Sequence, residues 1–307
     1  MPRLQDMLGG GQTDTFLGMP QGDTADIVLF GADSATPYAS VGAYCAGGAQ
    51  AIREGGADYA GPLTRINFDL GGPMVPPEVS VSDAGDLPWT DDAAEMRSRI
   101  ATRTRTLLDA GRIPVLLGGD DSVPTPMLGE YDRPIHILQI DAHIDWRDEV
   151  QGERLGLSST MRRASEMDHV GTIVQVGQRG VGSAGPDALA GAQAYGATLI
   201  PAHELPGGLS RAIAALPEGA DVVICFDVDA LDPSIMPAVI APTAGGLSYQ
   251  DVITLIKGVA DRGRIAGFAM VEFMPSGDTD GVGARCAAQF LTTALGIIAR
   301  QVAATRT

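Results

Sequence analysis

Short runs of β-branched and other apolar residues recur along this chain: Ala25-Asp-Ile-Val-Leu-Phe-Gly31, Ile113-Pro-Val-Leu-Leu117, Ile135-His-Ile-Leu-Gln-Ile140, Thr172-Ile-Val-Gln-Val176, Val222-Val-Ile-Cys-Phe226 and Ile265-Ala-Gly-Phe-Ala-Met-Val271. Runs of about five to seven residues without polar alternation read as strands buried on both faces. Helical patterns lie between them. Strands alternating with helices imply an α/β fold in which helices cover both faces of a central, mainly parallel sheet. In such sheets ligands bind beyond the carboxyl ends of the strands.

Further strands are expected at residues 66–70 and 198–200. Helices are expected from residue 49, from 90 to 110 with Thr90 as N-cap, from 161, from 248 to 259, and from 283 to 300. Residues 71–89 read as a Pro/Gly-rich connection. Residues 1–24, rich in Gly, Asp, Gln and Thr, read as an arm over the surface or against another subunit. No linker or repeat divides the remainder, so residues 25–307 are expected to form one domain.

The acidic residues cluster at the strand ends. The run 135–140 leads into Asp141-Ala-His143-Ile-Asp145, whose alternate residues leave the strand on one side and converge. Asp227-Val-Asp229 repeats the alternation, Gly118-Gly-Asp-Asp121 places a carboxylate on a tight turn, and Glu272 ends the last strand. Carboxylates a few ångströms apart in a low dielectric repel one another and take up protons unless cations intervene. Asp121, Asp141, Asp145, Asp227 and Asp229 around His143 therefore call for two divalent metal ions. A carboxylate-rich, thiol-free set suits Mn first and Ni second, and a metal pair can activate water for hydrolysis.

Charge bears on the substrate. With 21 basic and 38 acidic residues the formal net charge is −17 at pH 7, which disfavours nucleic acid and anionic membranes and favours a cationic small molecule. The three cysteines, Cys45, Cys225 and Cys286, lack ligand spacing and point to a reducing compartment. There is no basic-then-apolar leader and no uninterrupted apolar run of membrane-spanning length, so a cytoplasmic location is expected.

Gly118-Gly-Asp-Asp121-Ser, Asp141-Ala-His143-Ile-Asp145 and Phe226-Asp227-Val-Asp229-Ala-Leu-Asp232-Pro resemble, in order, the three metal motifs of the ureohydrolases, the arginase and agmatinase family. The resemblance extends from Ala25 to the last helix. It implies the three-layer α/β/α arginase fold, a binuclear Mn centre, and cleavage of a guanidino compound to urea and an amine by a metal-bridged hydroxide. Carried over by position, Asp141 and Asp227 bridge the metals, Asp121 and Asp145 complete one, and His143 and Asp229 the other. Asp145 also orients the hydroxide, and Glu272 pairs with the substrate guanidinium. The resemblance further implies a homo-oligomer, a trimer or hexamer.

Two positions depart from the family. Asp121 stands where the usual GGDH motif has histidine, leaving the ligand set one unit more negative. Leu157 stands where the SHGTPFRRA segment of agmatinases carries a histidine. Together with Trp146, Leu157 suggests an apolar substrate entrance, so a small or alkylated guanidine is as good a candidate as agmatine or a guanidino acid. His169 and His203, at loop edges, are further candidates to approach the site, whereas His136 reads as a core residue. The altered positions also admit a second reading: a weakly active or non-catalytic subunit supporting an active paralogue in a hetero-oligomer.

Overall fold

A computed structural model describes residues 14–182 and 184–306. Its strands are β1 (Ile27–Ala32), β2 (Ile66–Asn67), β3 (Gly72–Pro73), β4 (Val81–Asp86), β5 (Ile113–Gly118), β6 (Ile135–Ile140), β7 (Val170–Val176), β8 (Thr198–Ile200), β9 (Asp221–Asp227) and β10 (Arg264–Val271). Eight of them form one sheet in the order β4-β1-β5-β10-β9-β6-β7-β8. Every neighbouring pair in it is parallel.

The helices are α1 (Gly48–Gly55), α2 (Ala93–Asp109), α3 (Pro124–Leu128), α4 (Thr160–Ala164), α5 (Pro186–Tyr195), α6 (Gly207–Ala215), α7 (Tyr249–Arg262) and α8 (Val282–Ala304). Two apolar cores lie on opposite faces of the sheet. Along β9, Val222, Ile224 and Phe226 join the core made with α1, α6, α7 and α8, while Val223 and Cys225 join the one made with α2 to α5. This is the period-two alternation of a strand covered on both sides. The three-layer α/β/α arrangement expected from the sequence is therefore the one observed. Each fully buried Phe, Leu or Ile in these cores contributes roughly 1.5–3 kcal/mol. Helix α8 is long and apolar enough to cross a membrane by length and composition, and 72% of its most apolar stretch is buried inside the fold, as in a core helix.

Several local expectations change. Only Ile66 and Asn67 of the run 66–70 pair, antiparallel to Gly72–Pro73 and off the main sheet. The edge strand is instead β4, hidden in the sequence because Val-Ser-Asp-Ala-Gly-Asp is polar. Its Asp83 is tolerated in the interior because Arg53 binds it at 2.7 Å and the Phe16 N–H donates to it at 2.8 Å. The N-cap of α2 is Asp92, which accepts from the Ala94 and Glu95 N–H groups, whereas Thr90 only accepts from the Asp92 N–H. Ser248 caps α7 through a reciprocal pair with Asp251. Helices α3, α5 and α6 were not anticipated; α5 and α6 are short segments rich in Ala and Gly, and α5 has little amphipathic contrast. Residues 1–13 of the expected arm lie outside the described residues. Phe16 and Leu17 are buried in the core, not laid over the surface.

Arg53 makes a second bond, to Asp86 at 2.5 Å, and is itself buried. Removing one partner of a buried ion pair strands the other charge at a cost of about 3–5 kcal/mol. Arg53→Met is expected to lower stability by that order in urea unfolding. A loss below about 1 kcal/mol would show that Asp83 is satisfied without it.

Candidate metal centre

The strands that carry the acidic motifs, β5, β10, β9 and β6, are adjacent in the middle of the sheet. Parallel pairing puts all their carboxyl ends on one edge, so Asp121, Glu272, Asp227 and Asp141 come together although far apart in sequence. Asp121, Asp227 and Glu272 line a cavity of about 160 Å³ together with Asp229, His143, Asp145, Trp146, Leu157 and Tyr44.

Local chemistry sets each side chain. Gly119 lies against the chain after β1: a Cβ there would sit 1.9 Å from the Asp33 carbonyl oxygen. The Gly119 carbonyl accepts the Glu272 N–H at 2.8 Å, tying the β5 turn to the end of β10. Asp120, the first carboxylate of the turn, is structural, accepting from Ser34 Oγ at 2.9 Å and from Ser122. Asp121 points the other way, and Thr160 donates to its backbone carbonyl. Both carboxylate oxygens of Asp121 are buried and have no hydrogen-bond partner among the described residues.

Asp141 accepts the His143 N–H at 2.6 Å through Oδ1. Asp227 accepts the Asp229 N–H at 2.7 Å, and Asp229 accepts the Ala142 N–H at 3.1 Å. Arg179, which the sequence did not single out, clamps this turn by donating to the carbonyls of Asp229 at 2.7 Å and Ala230 at 3.0 Å. Two groups of ligand atoms result. Those of Asp121, Asp141 and Asp227 lie within 4.8 Å of one another, as do those of Asp141, His143 and Asp229. Asp141 belongs to both, and Asp145 to neither.

Two backbone positions are strained. Asp145 at φ 48° and Glu272 at φ 68° occupy the left-handed region that non-glycine residues avoid. Such outliers cluster where the surrounding structure holds a side chain for function. Glu272 is held on Oε1 by the Asp121 N–H at 2.9 Å, and the Tyr44 hydroxyl lies 2.6 Å from both of its carboxylate oxygens.

Electrostatics shows the strain of gathering these groups. Burial, then Asp145 and Asp141, pushes the Asp121 carboxyl far above the usual range. Asp227 and Asp229 rise through burial and through their acidic neighbours, and Asp145 likewise through burial and Asp141. Burial and then Asp120 raise Glu272 to about 8, although Tyr44 opposes the shift. Burial disfavours a charge on His143, but Asp141 and Asp229 outweigh it and lift the imidazole to about 12, a proton standing in for a cation. Asp141 is the exception: burial raises it, and His143 more than compensates.

Trp146 lines the cavity without forming its rim. It is buried, its ring centroid is 5.6 Å from that of Tyr195, and its indole N–H donates to Gln175 at 2.8 Å. Leu157, half-buried, opens a 3-10 turn (Leu157–Ser159) on the cavity wall. His136 bonds the Thr172 N–H and His169 the Leu128 carbonyl; neither these two nor His203 lines the cavity. Tyr44 and the buried Gln139 and Gln175 escaped the sequence reading. The two glutamines had a signal: each is the one amide of its strand and is flanked by apolar residues on both sides.

The comparisons with known proteins agree with this architecture. Residues 25–296 match the arginase family. The N(1)-aminopropylagmatine ureohydrolase of Thermus thermophilus is 36% identical over 212 residues, covering 66% of this chain and 69% of that one. Among solved structures, the proclavaminate amidino hydrolase from Streptomyces clavuligerus superposes with a TM-score of 0.81 at 25% identity, over 95% of this chain and 99% of the other. A hypothetical agmatinase from Burkholderia thailandensis, at 24% identity, shares the fold with a TM-score of 0.79 over 95% and 93% of the two chains. The chain belongs to the arginase family, that of the ureohydrolases, as its three motifs implied. It is thus an enzyme of the class that acts on guanidino C–N bonds.

Proposed function

We propose that this chain is a binuclear-metal hydrolase that cleaves a guanidino compound to urea and an amine. The observation that carries this reading is Asp121: two buried carboxylate oxygens with no hydrogen-bond partner among the described residues, and a ligand atom within 4.8 Å of those of Asp141 and Asp227. A buried charge left unpaired is costly enough that it is neutralised or compensated. The oxygen-rich donor set fits divalent cations, Mn first and Ni second. Asp121, Asp141 and Asp227 would hold one ion and Asp141, His143 and Asp229 the other, with Asp145 completing the first. A bound pair supplies Lewis acidity and an activated water.

The chain's own residues do the rest. Glu272 receives the cationic guanidinium and fixes the carbon above the metal ligands, with Trp146 and Leu157 walling the cavity. Asp145 accepts a hydrogen bond from the attacking water and so sets its direction. The water oxygen adds to the guanidino carbon, the bond to the substituted nitrogen breaks, and that nitrogen leaves as the amine with the proton that the water gives up. The assembled acid set favours this reading over that of a supporting subunit. The compound is agmatine, a guanidino acid or a small alkylated guanidine. Residues 25–307 serve as one catalytic domain in a homo-oligomer, trimer or hexamer, and the free thiols support a cytoplasmic site of action.

Urea release measured over agmatine, guanidino acids, guanidine and alkylguanidines, with Mn and Ni in parallel, tests the proposal; silence across the panel refutes it. On the best substrate, Glu272→Gln is expected to lower kcat/KM on the order of 10²-fold, since a charge-assisted pair is lost while the shape is kept. An unchanged kcat/KM would remove Glu272 from substrate recognition.

A further inference from the structure

Gln139 on β6 and Gln175 on β7 are register partners across the two strands, and both are fully buried. Their amides form an ordered relay. The Trp146 indole N–H donates to Gln175 Oε1 at 2.8 Å. Gln175 Nε2 donates to the Ile144 carbonyl at 2.8 Å and to Gln139 Oε1. Gln139 Nε2 donates to Asp141 Oδ2 and Asp145 Oδ2, at 2.6 Å each. Every amide hydrogen in the relay is used.

The direction of the relay follows from its first member. An indole nitrogen can only donate, so the end of Gln175 facing it must be the oxygen. The nitrogen of Gln175 then faces Gln139, which must answer with its own oxygen, leaving the nitrogen of Gln139 toward the carboxylates. Turned the other way, Gln139 would present a lone-pair-bearing oxygen to two acids. The donated N–H groups take up Oδ2 of Asp141 and Oδ2 of Asp145, so that Oδ1 of Asp141 is the atom that meets the His143 N–H. In metal sites the groups that hydrogen-bond the ligands set their orientation and affinity, commonly by 10- to 100-fold.

We propose that Trp146, Gln175 and Gln139 form a positioning relay that holds Asp141 and Asp145 in register for the metal pair. The inference rests on the two-metal reading of the site. Trp146 thereby serves the centre from behind, through hydrogen-bond polarity.

The test is Mn²⁺ titration of the full-length chain by calorimetry, with thermal unfolding of the metal-free proteins alongside. Gln139→Leu is expected to weaken Mn²⁺ binding at least tenfold. Trp146→Phe, which keeps an aromatic ring and deletes the N–H, should weaken it about threefold. In a Trp89→Phe background, Trp146 emission should respond to Mn²⁺ and lose that response when Gln139→Leu is added. A parent chain that binds no Mn²⁺ overturns the two-metal reading and the relay with it. A parent that binds two ions, with Mn²⁺ affinity unchanged in Gln139→Leu, overturns the relay alone, even if the variant melts earlier. Should Gln139→Leu fail to fold, unchanged affinity in Trp146→Phe overturns the relay in its place.

Discussion

Asp141→Asn is expected to abolish two-metal loading and to lower urea release by about 10³-fold or more, equivalent to roughly 4 kcal/mol of barrier. The size of the effect follows from position. Asp141 alone contributes to both groups of ligand atoms, so one substitution removes an anionic ligand from each. Asparagine keeps the volume, but one carboxylate oxygen becomes an NH₂ group. That group cannot accept the His143 N–H, made now at 2.6 Å, or the Gln139 amide, also at 2.6 Å. The metal-free variant should still fold, since the side chain lies at a strand end and no cavity is opened. Metal content by elemental analysis and urea release on the best substrate are the two readings. A variant that still binds two ions and keeps its activity would show that the shared ligand is some other residue.

The second large effect is a stability that depends jointly on pH and metal. Without metal, the melting temperature is expected to fall by at least about 5 °C between pH 5 and pH 8, and added Mn²⁺ should raise it more at pH 8 than at pH 5. Asp121, Asp145, Asp227 and Asp229 have folded-state pKa values above their ordinary ones, and Glu272 is raised from 4.5 to about 8. An acid with a raised pKa binds its proton more tightly in the folded chain. Its stabilising contribution is complete below about pH 4 and disappears as pH climbs through the folded value. His143, raised to about 12, acts with the same sign, its contribution complete below 6.5 and declining above. Asp141, Asp221 and Asp232 are lowered, so their stabilisation is lost only on acidification and adds no slope above pH 5.

A few kcal/mol is a large share of a typical total of about 5–15 kcal/mol. In a chain of this size each kcal/mol moves the melting point by roughly 2–4 °C. Divalent cations bind the ionised carboxylates and replace the protons, and a ligand at a thousand times its Kd adds about 4 kcal/mol per site. A melting temperature in EDTA that is level from pH 5 to pH 8 would mean the acids are not crowded as the geometry shows.

The motifs were legible because strand side chains alternate with a period of two. Asp141, His143 and Asp145 could be assigned to one side of a strand end from the sequence, and so could Asp227 and Asp229. Polar-poor runs likewise announced a sheet covered on both faces. Less was legible where tertiary contacts supply what local composition lacks. Strand β4 looks like a loop until Arg53 neutralises Asp83. Gln139 and Gln175 look like isolated polar intrusions until the β6–β7 register sets them side by side. Trp146 read as a wall of the entrance, and its indole N–H turned out to be bonded in the interior.

By itself, then, the sequence determined the chemistry available: acids and one imidazole at strand ends, in the motif order of the arginase family. Those assignments need only the geometry of a single strand and its turn. Which acids meet was decided by the strand order β5-β10-β9-β6, because parallel strands distant in the chain become neighbours only when helices carry the connections across the sheet. That order left the Asp121 carboxylate oxygens with no hydrogen-bond partner among the described residues and put Tyr44 on Glu272, and the β6–β7 register turned the Gln139 amide nitrogen toward two carboxylates. Each of these contacts joins different elements of the fold or follows from the register between them, so none could be read from one segment alone.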